Sequence, residues 1–211
     1  MPRLRVVTYV DGFNLYYRAL KPSRCNWLNL SALVRTYLPQ YDVLKIKYFT
    51  ARIDPNPWDP EQHVRQQTYL RALATLPDVE VYYGSFITKP KNAPCAPCWE
   101  AGIYRPVAIM KTEEKGSDVN LATHLLCDGF RDVYDVAAVI SNDTDLEEPL
   151  RVVKEELKKG VALLHPSKHP SGKLSHYATT VRRIRAGALR ASQFDEVLAD
   201  DVGEFRKPAS W

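Results

Sequence analysis

The sequence predicts an α/β fold, a three-layer α/β/α sandwich around a mostly parallel central sheet. Two observations support it. Strand-like apolar runs alternate with segments of helical spacing along most of the chain, the pattern of strand-crossover-strand units. The runs Val136–Ile140 and Val161–Leu164 are apolar throughout, as strands covered on both faces are.

The first strand is read over Leu4–Val10 and delivers Asp11 at its tip, followed by the turn Gly12-Phe13-Asn14. Leu15–Leu20 begins a short helix that Asn14 is able to cap. Leu30–Leu38 has helical spacing and stops before Pro39, and Val43–Thr50 alternates like a strand. The proline-rich stretch 54–60 is a loop. Glu61–Leu76 is the next helix, and Val79–Tyr83 a strand that ends at Gly84.

Residues 85–105 hold much proline and little periodicity, so an irregular excursion is expected there. Val107–Met110 is a short strand leading into Glu113-Glu-Lys-Gly-Ser-Asp118. Val119–Phe130 and Leu146–Lys159 read as helices. The organisation is one domain over 1–190 with a tail, 191–211, that has no period and either wraps the body or stays mobile.

With 211 residues, 45% hydrophobic and 26% charged, the chain is long enough for one sizeable core. No apolar run approaches the ~20 residues of a membrane span, and no secretory signal is visible, so a cytoplasmic protein is expected. Four cysteines in a chain of this size do not make a disulfide scaffold. The net charge of +4 is mild, but Arg182, Arg183, Arg185 and Arg190 cluster, as a solvated surface or a phosphate-binding patch would.

Chemistry concentrates at three junctions between strand and helix, which carry Asp11, Asp118 and the pair Asp143 and Asp145. Open α/β sheets hold their sites at the carboxyl ends of the strands. Any one of these aspartates alone would serve as a helix cap. Together they crowd like charges, which is destabilising unless a cation neutralises them. Oxygen ligands suit Mg²⁺ or Mn²⁺, the ions that bind phosphates and activate water in phosphodiester hydrolysis. Asn14 could orient the water or the phosphate, and Lys115 could offset charge on the phosphoryl oxygens. On a helical wheel Asp118 falls on the packed side with Leu121 and Leu125, opposite Asn120, His124, Cys127 and Arg131.

Three segments, Asp11-Gly-Phe-Asn14, Glu114-Lys-Gly-Ser-Asp118-Val-Asn-Leu-Ala122 and Ser141-Asn-Asp-Thr-Asp145, occur in an order that resembles the signature of the NYN domain family, a branch of the PIN-like nucleases. The resemblance spans roughly residues 4 to 165. It implies a PIN-like α/β/α sandwich and a Mg²⁺- or Mn²⁺-dependent ribonuclease acting through metal-activated water. Asp11, Asp118, Asp143 and Asp145 would be its acidic pocket and RNA its substrate. The tail is similar to that of a LabA-like bacterial subgroup, some relatives of which are named as hydroxylases of a succinoylpyridine. Two rival readings follow: an RNA-binding module with a vestigial site, and an NADH-dependent hydroxylase of such an aromatic. A GxGxxG fingerprint is absent from the sequence.

Tyr16, Tyr17 and Trp27 follow the first motif and are candidates for stacking on bases, with Arg182, Arg183 and Arg185 as backbone contacts. Cys95-Ala-Pro-Cys98 has ligand spacing for zinc, with His124 and Cys127 as a second pair; ordinary thiols and a redox pair are the other readings. A homodimer is compatible with the sequence.

Overall fold

The computed structural model describes residues 3–55 and 57–211. A seven-stranded sheet carries, from one edge to the other, β4 (Pro106–Lys115), β3 (Val79–Pro94), β2 (Asp42–Ala51), β1 (Arg5–Asp11), β5 (Val136–Ile140), β6 (Gly160–His165) and β7 (Thr180–Arg183). β1 (Arg5–Asp11) pairs in parallel with both β2 (Asp42–Ala51) and β5 (Val136–Ile140). β3 (Val79–Pro94) adds to β2, while β6 (Gly160–His165) and β7 (Thr180–Arg183) extend the other side. The chain therefore builds outward from β1 in one direction, then returns and builds in the other. That reversal opens a crevice at the carboxyl ends of β1 and β5, where ligands of such sheets bind.

Side-chain alternation sends each strand into two cores. Val6 and Val10 of β1 face α3 (Leu30–Tyr37) and α4 (Gln62–Ala74), whose Leu33, Val34 and Leu73 are fully buried. Val7 and Tyr9 face α6 (Ser117–Phe130) and α7 (Glu147–Arg151), through Leu121, Leu125 and Leu150. The three-layer sandwich is thus a direct product of period-two burial on a sheet covered on both sides. Beneath the second layer lies a buried ion pair. Lys47 Nζ reaches Asp128 Oδ2 at 2.6 Å, and Tyr9 donates its hydroxyl to the same oxygen at 2.7 Å.

The segment 85–105 is not irregular. β3 continues past Gly84 as far as Pro94 and pairs antiparallel with β4 (Pro106–Lys115), giving a two-stranded ribbon capped by α5 (Ala96–Glu100). Proline misled the sequence reading, because a ribbon with free edges tolerates residues that cannot donate to a ladder, here Pro90, Pro94 and Pro106. The strand expected at Val107–Met110 is correspondingly longer. Residue 56, within the loop expected over 54–60, lies outside the described residues.

The tail wraps the body. β8 (Val197–Asp200) and β9 (Gly203–Arg206) form a small hairpin, and Phe194, Phe205 and Trp211 close around the fully buried Trp27. Trp27 is therefore core and unavailable for stacking on bases. No helix among the described residues is long and apolar enough to cross a membrane.

Candidate active site

Asp11 ends β1 at the crevice and is nearly fully buried. Its Oδ1 accepts from Asn14 N at 2.9 Å, so Asp11 caps the short helix α1 (Gly12–Leu15), the role the sequence offered to Asn14. Asn14 instead clasps the neighbouring junction, its Oδ1 accepting from Asn142 N at 3.1 Å. Ser141 Oγ donates to Asp11 Oδ2 at 2.8 Å and accepts from Asp143 N at 3.0 Å. Asp143 in turn accepts from Asp145 N and caps the turn Thr144–Leu146. Two junctions far apart in sequence are thereby bonded into one frame.

The third junction arrives from the ribbon. Gly116, at φ 97°, turns β4 into α6, a backbone that favours glycine. Glu114 Oε1 accepts from Ser117 N at 3.0 Å and caps that helix, which leaves Asp118 in its first turn without a capping role. Gly84 is needed beneath this turn: a Cβ there would meet the Glu114 carboxylate and lie 2.6 Å from Lys115 O. Gly12 is needed likewise, since its Cβ would lie 2.7 Å from Phe49 O and 2.6 Å from the Tyr48 ring.

Asp11, Asn14, Asp118 and Asp143 line one open cavity of about 410 Å³ together with Glu114, Ser117 and Arg18. Phe13 and Phe86 meet edge to face across it, with ring centroids 5.6 Å apart. Burial raises the Asp11 carboxyl above its ordinary range, against hydrogen bonds from Asn14 and Ser141 that lower it; Asp143 and Glu114 raise it further. Asp118 is pushed up to about 6, first by burial and then by the charges of Asp11, Asp143, Glu114 and Asp145. Among the described residues no group of three or more His, Cys, Asp or Glu side chains is already arranged to hold a metal ion.

Other expected residues fall elsewhere. Asp145 is exposed beyond the cavity lining and acts on Asp118 through its charge. Lys115 does not line the cavity. Strand alternation turns Glu114 inward and sends Lys115 and Glu113 to the other face, where they pair at 2.9 Å. Tyr17, not Tyr16, borders the acidic cavity. Arg182 and Arg183 sit on edge strand β7, three strands and about 14 Å from β1 by ordinary strand spacing. Arg185 follows that strand, and Arg182 donates to Tyr37 O at 3.0 Å.

Arg18 was missed. It stands four residues after Asn14, which on a helix is the same face, and that spacing was the available signal. His124 is not on a free polar face: its ring lies 4.1 Å from that of Tyr82, beside Lys47. Cys95 and Cys98 lie with their sulfurs 3.0 Å apart at the ribbon tip, and His124 and Cys127 do not join them in a four-ligand group.

A seven-stranded, mostly parallel sheet with helices on both faces and acids gathered at its switch point is the architecture of the PIN-like nuclease class. The NYN domain model matches residues 5–185, and this chain belongs to that family. It is 30% identical to a Pseudomonas putida (strain DSM 28022 / S16) protein named 6-hydroxy-3-succinoylpyridine 3-monooxygenase HspA, over 99% of this chain and 75% of that one. It is also similar in structure to VPA0982, a protein of unknown function from Vibrio parahaemolyticus RIMD 2210633. There the TM-score is 0.58 and the identity 17%, over 87% of this chain and 94% of that one.

Proposed function

We propose that this chain hydrolyses RNA phosphodiester bonds at the acidic cavity, with Mg²⁺ or Mn²⁺ held by Asp11, Asp118 and Asp143. The observation that carries the proposal is the convergence of these carboxylates, with Glu114, on one open cavity. Their burial and mutual repulsion favour a neutralising cation. The donor set is all oxygen, which suits a hard divalent ion. Mg²⁺ keeps several of its waters when bound, so water would complete the shell left by these carboxylates.

When bound, such an ion supplies charge neutralisation on the phosphoryl oxygens and a more acidic water. The chain's own groups orient the reactants. Arg18, at the cavity rim, pairs with a phosphate oxygen of the strand. The Asn14 amide nitrogen, which has no hydrogen-bond partner among the described residues, holds the attacking water or a phosphate oxygen. Ser141 and the Asn14 backbone fix both oxygens of Asp11, so its geometry is set before substrate arrives. Phe13 and Phe86 exclude solvent from one side.

The test is cleavage of single-stranded RNA with added Mn²⁺. Asp11→Asn and Asp143→Asn are each expected to abolish cleavage while the protein still unfolds cooperatively; full metal-dependent cleavage by both variants rules out the site. A second reading rests on the name of the Pseudomonas putida relative. In it one oxygen atom of O₂ enters a hydroxylated pyridine, while NADH and a proton reduce the other to water. Consumption of NADH and O₂ that depends on 6-hydroxy-3-succinoylpyridine supports that reading, and none with the purified protein removes it.

A further inference from the structure

At the tip of the β3–β4 ribbon two cysteines face each other. Cys95 follows the end of β3 and Cys98 lies in α5, with their sulfurs 3.0 Å apart. The main chain holds them in place. Cys95 N donates to Arg105 O at 3.1 Å, and Ile103 N donates to Cys98 O at 2.7 Å, so each cysteine is tied to the stretch that leads back into β4. Both are half-buried, whereas Cys25 is sealed in the core.

The pair is asymmetric. Cys98 donates its S–H to Cys95 Sγ, which favours negative charge on the acceptor. That bond holds the Cys95 thiol below its ordinary range and pushes the Cys98 thiol up. The thiolate is the nucleophile of disulfide chemistry, and a second thiol in contact with it is placed to resolve the mixed disulfide it forms. Zinc fits less well. Two sulfurs are half of a tetrahedral shell, and among the described residues no third His, Cys, Asp or Glu joins them. Neither cysteine lines the acidic cavity, so this chemistry is separate from the proposed hydrolysis.

We propose that Cys95 and Cys98 form a thiol–disulfide exchange site, oxidised by a low-molecular-weight disulfide of the glutathione class. The Cys95 thiolate attacks one sulfur of that disulfide, whose S–S bond breaks. The departing thiolate takes a proton from solvent and leaves as a thiol, and the other half stays joined to Cys95. Cys98 then loses its proton to solvent and attacks Cys95 Sγ, expelling the second half, which is protonated in turn. In sum, two protein thiols give up two electrons and two protons, and one small disulfide becomes two small thiols. Excess small thiol drives the same steps in reverse.

The test equilibrates the reduced full chain in mixtures of reduced and oxidised glutathione, quenches in acid, unfolds and alkylates it, and weighs the tryptic peptide that carries both cysteines. The doubly alkylated peptide is expected to convert in one step to a form that is lighter by two hydrogens and takes no alkyl group. Excess reduced glutathione should reverse this, and Cys25 should stay alkylated throughout. Cys98→Ala should trap glutathione on Cys95, whereas Cys98 in Cys95→Ala should take it up at least about tenfold more slowly. In the wild type, the iodoacetamide rate at Cys95 should reach half its maximum below the pH of ~8.5 of an ordinary thiol, and Cys98→Ala should move that midpoint up. Should either variant fail to fold, the wild-type glutathione series decides alone. Equal uptake by the two variants, or a peptide that keeps both alkyl groups across the whole series, overturns the site. Stoichiometric zinc that copurifies with the wild type and is lost in Cys95→Ala also overturns it, in favour of a metal ligand pair.

Discussion

Ser141 Oγ lies 2.8 Å from Asp11 Oδ2 and is fully buried, so one hydroxyl joins the tip of β1 to the tip of β5. Ser141→Ala removes the hydroxyl that satisfies this nearly buried carboxylate oxygen. A loss of about 1–3 kcal/mol is expected in denaturant unfolding at neutral pH. Because this bond lowers the Asp11 pKa, its removal should also raise that pKa, visible as an upward displacement of the acidic limb of the pH-rate profile.

Asp118 is held at about 6, against 3.8 for an ordinary aspartate. A carboxyl whose folded-state pKa is raised favours folding below the unfolded value and loses that contribution as pH rises through the folded one. The metal-free protein should therefore lose stability relative to Asp118→Asn between pH 4 and about 6, with the gap constant above that window. Thermal melts in EDTA across this range check the sign. A wild-type protein that gains on the variant as pH rises would contradict the assignment. Mn²⁺ should raise Tm at pH 7.5 and have little effect at pH 4.5.

Arg18 and Lys115 make opposite predictions. Arg18→Ala should weaken RNA binding and flatten its salt dependence by about 0.7 in the log–log slope, the value for one phosphate contact on a single strand. Lys115→Ala, on the far face of β4, should leave both unchanged. Equal effects of the two variants on filter-binding curves would refute this division.

Asp128 accepts from both Lys47 and Tyr9 inside the second core layer. Asp128→Ala strands a buried lysine and should cost about 3–5 kcal/mol in chemical denaturation. An effect below 1 kcal/mol would mean that water reaches the pair.

Gly12→Ala drives a methyl against Phe49 O and the Tyr48 ring, and the backbone contact cannot rotate away. Overpacking of this kind costs about 1–3 kcal/mol. A crystal structure should show the Asp11 turn displaced and RNA cleavage should fall with it.

Much of the sandwich was legible because Val136–Ile140 and Val161–Leu164 can only be strands buried on both faces, and because carboxylates sat at the ends of strands. The cavity acids Asp11, Asp118 and Asp143 could be read for the same reason. Lys115 could not be separated from Glu114 without the strand's register, since one residue of shift exchanges the two faces. The ribbon was hidden by its prolines, and the tail by strands of only four residues whose packing depends on single aromatics.

The pairing of β3 with β2 ends at Gly84, beyond which β3 pairs with β4 as a ribbon, and Gly84, Glu114 and Ser117 are in close contact at its root. Everything beyond Ile87 and Glu113 can thus be lengthened, shortened or exchanged without moving the acids. Selection on what the ribbon meets and selection on the chemistry act on physically separate parts of one chain. Related proteins could diverge in targets by trading this appendage while the catalytic floor stays the same, and an engineer could graft a foreign hairpin at the same two positions.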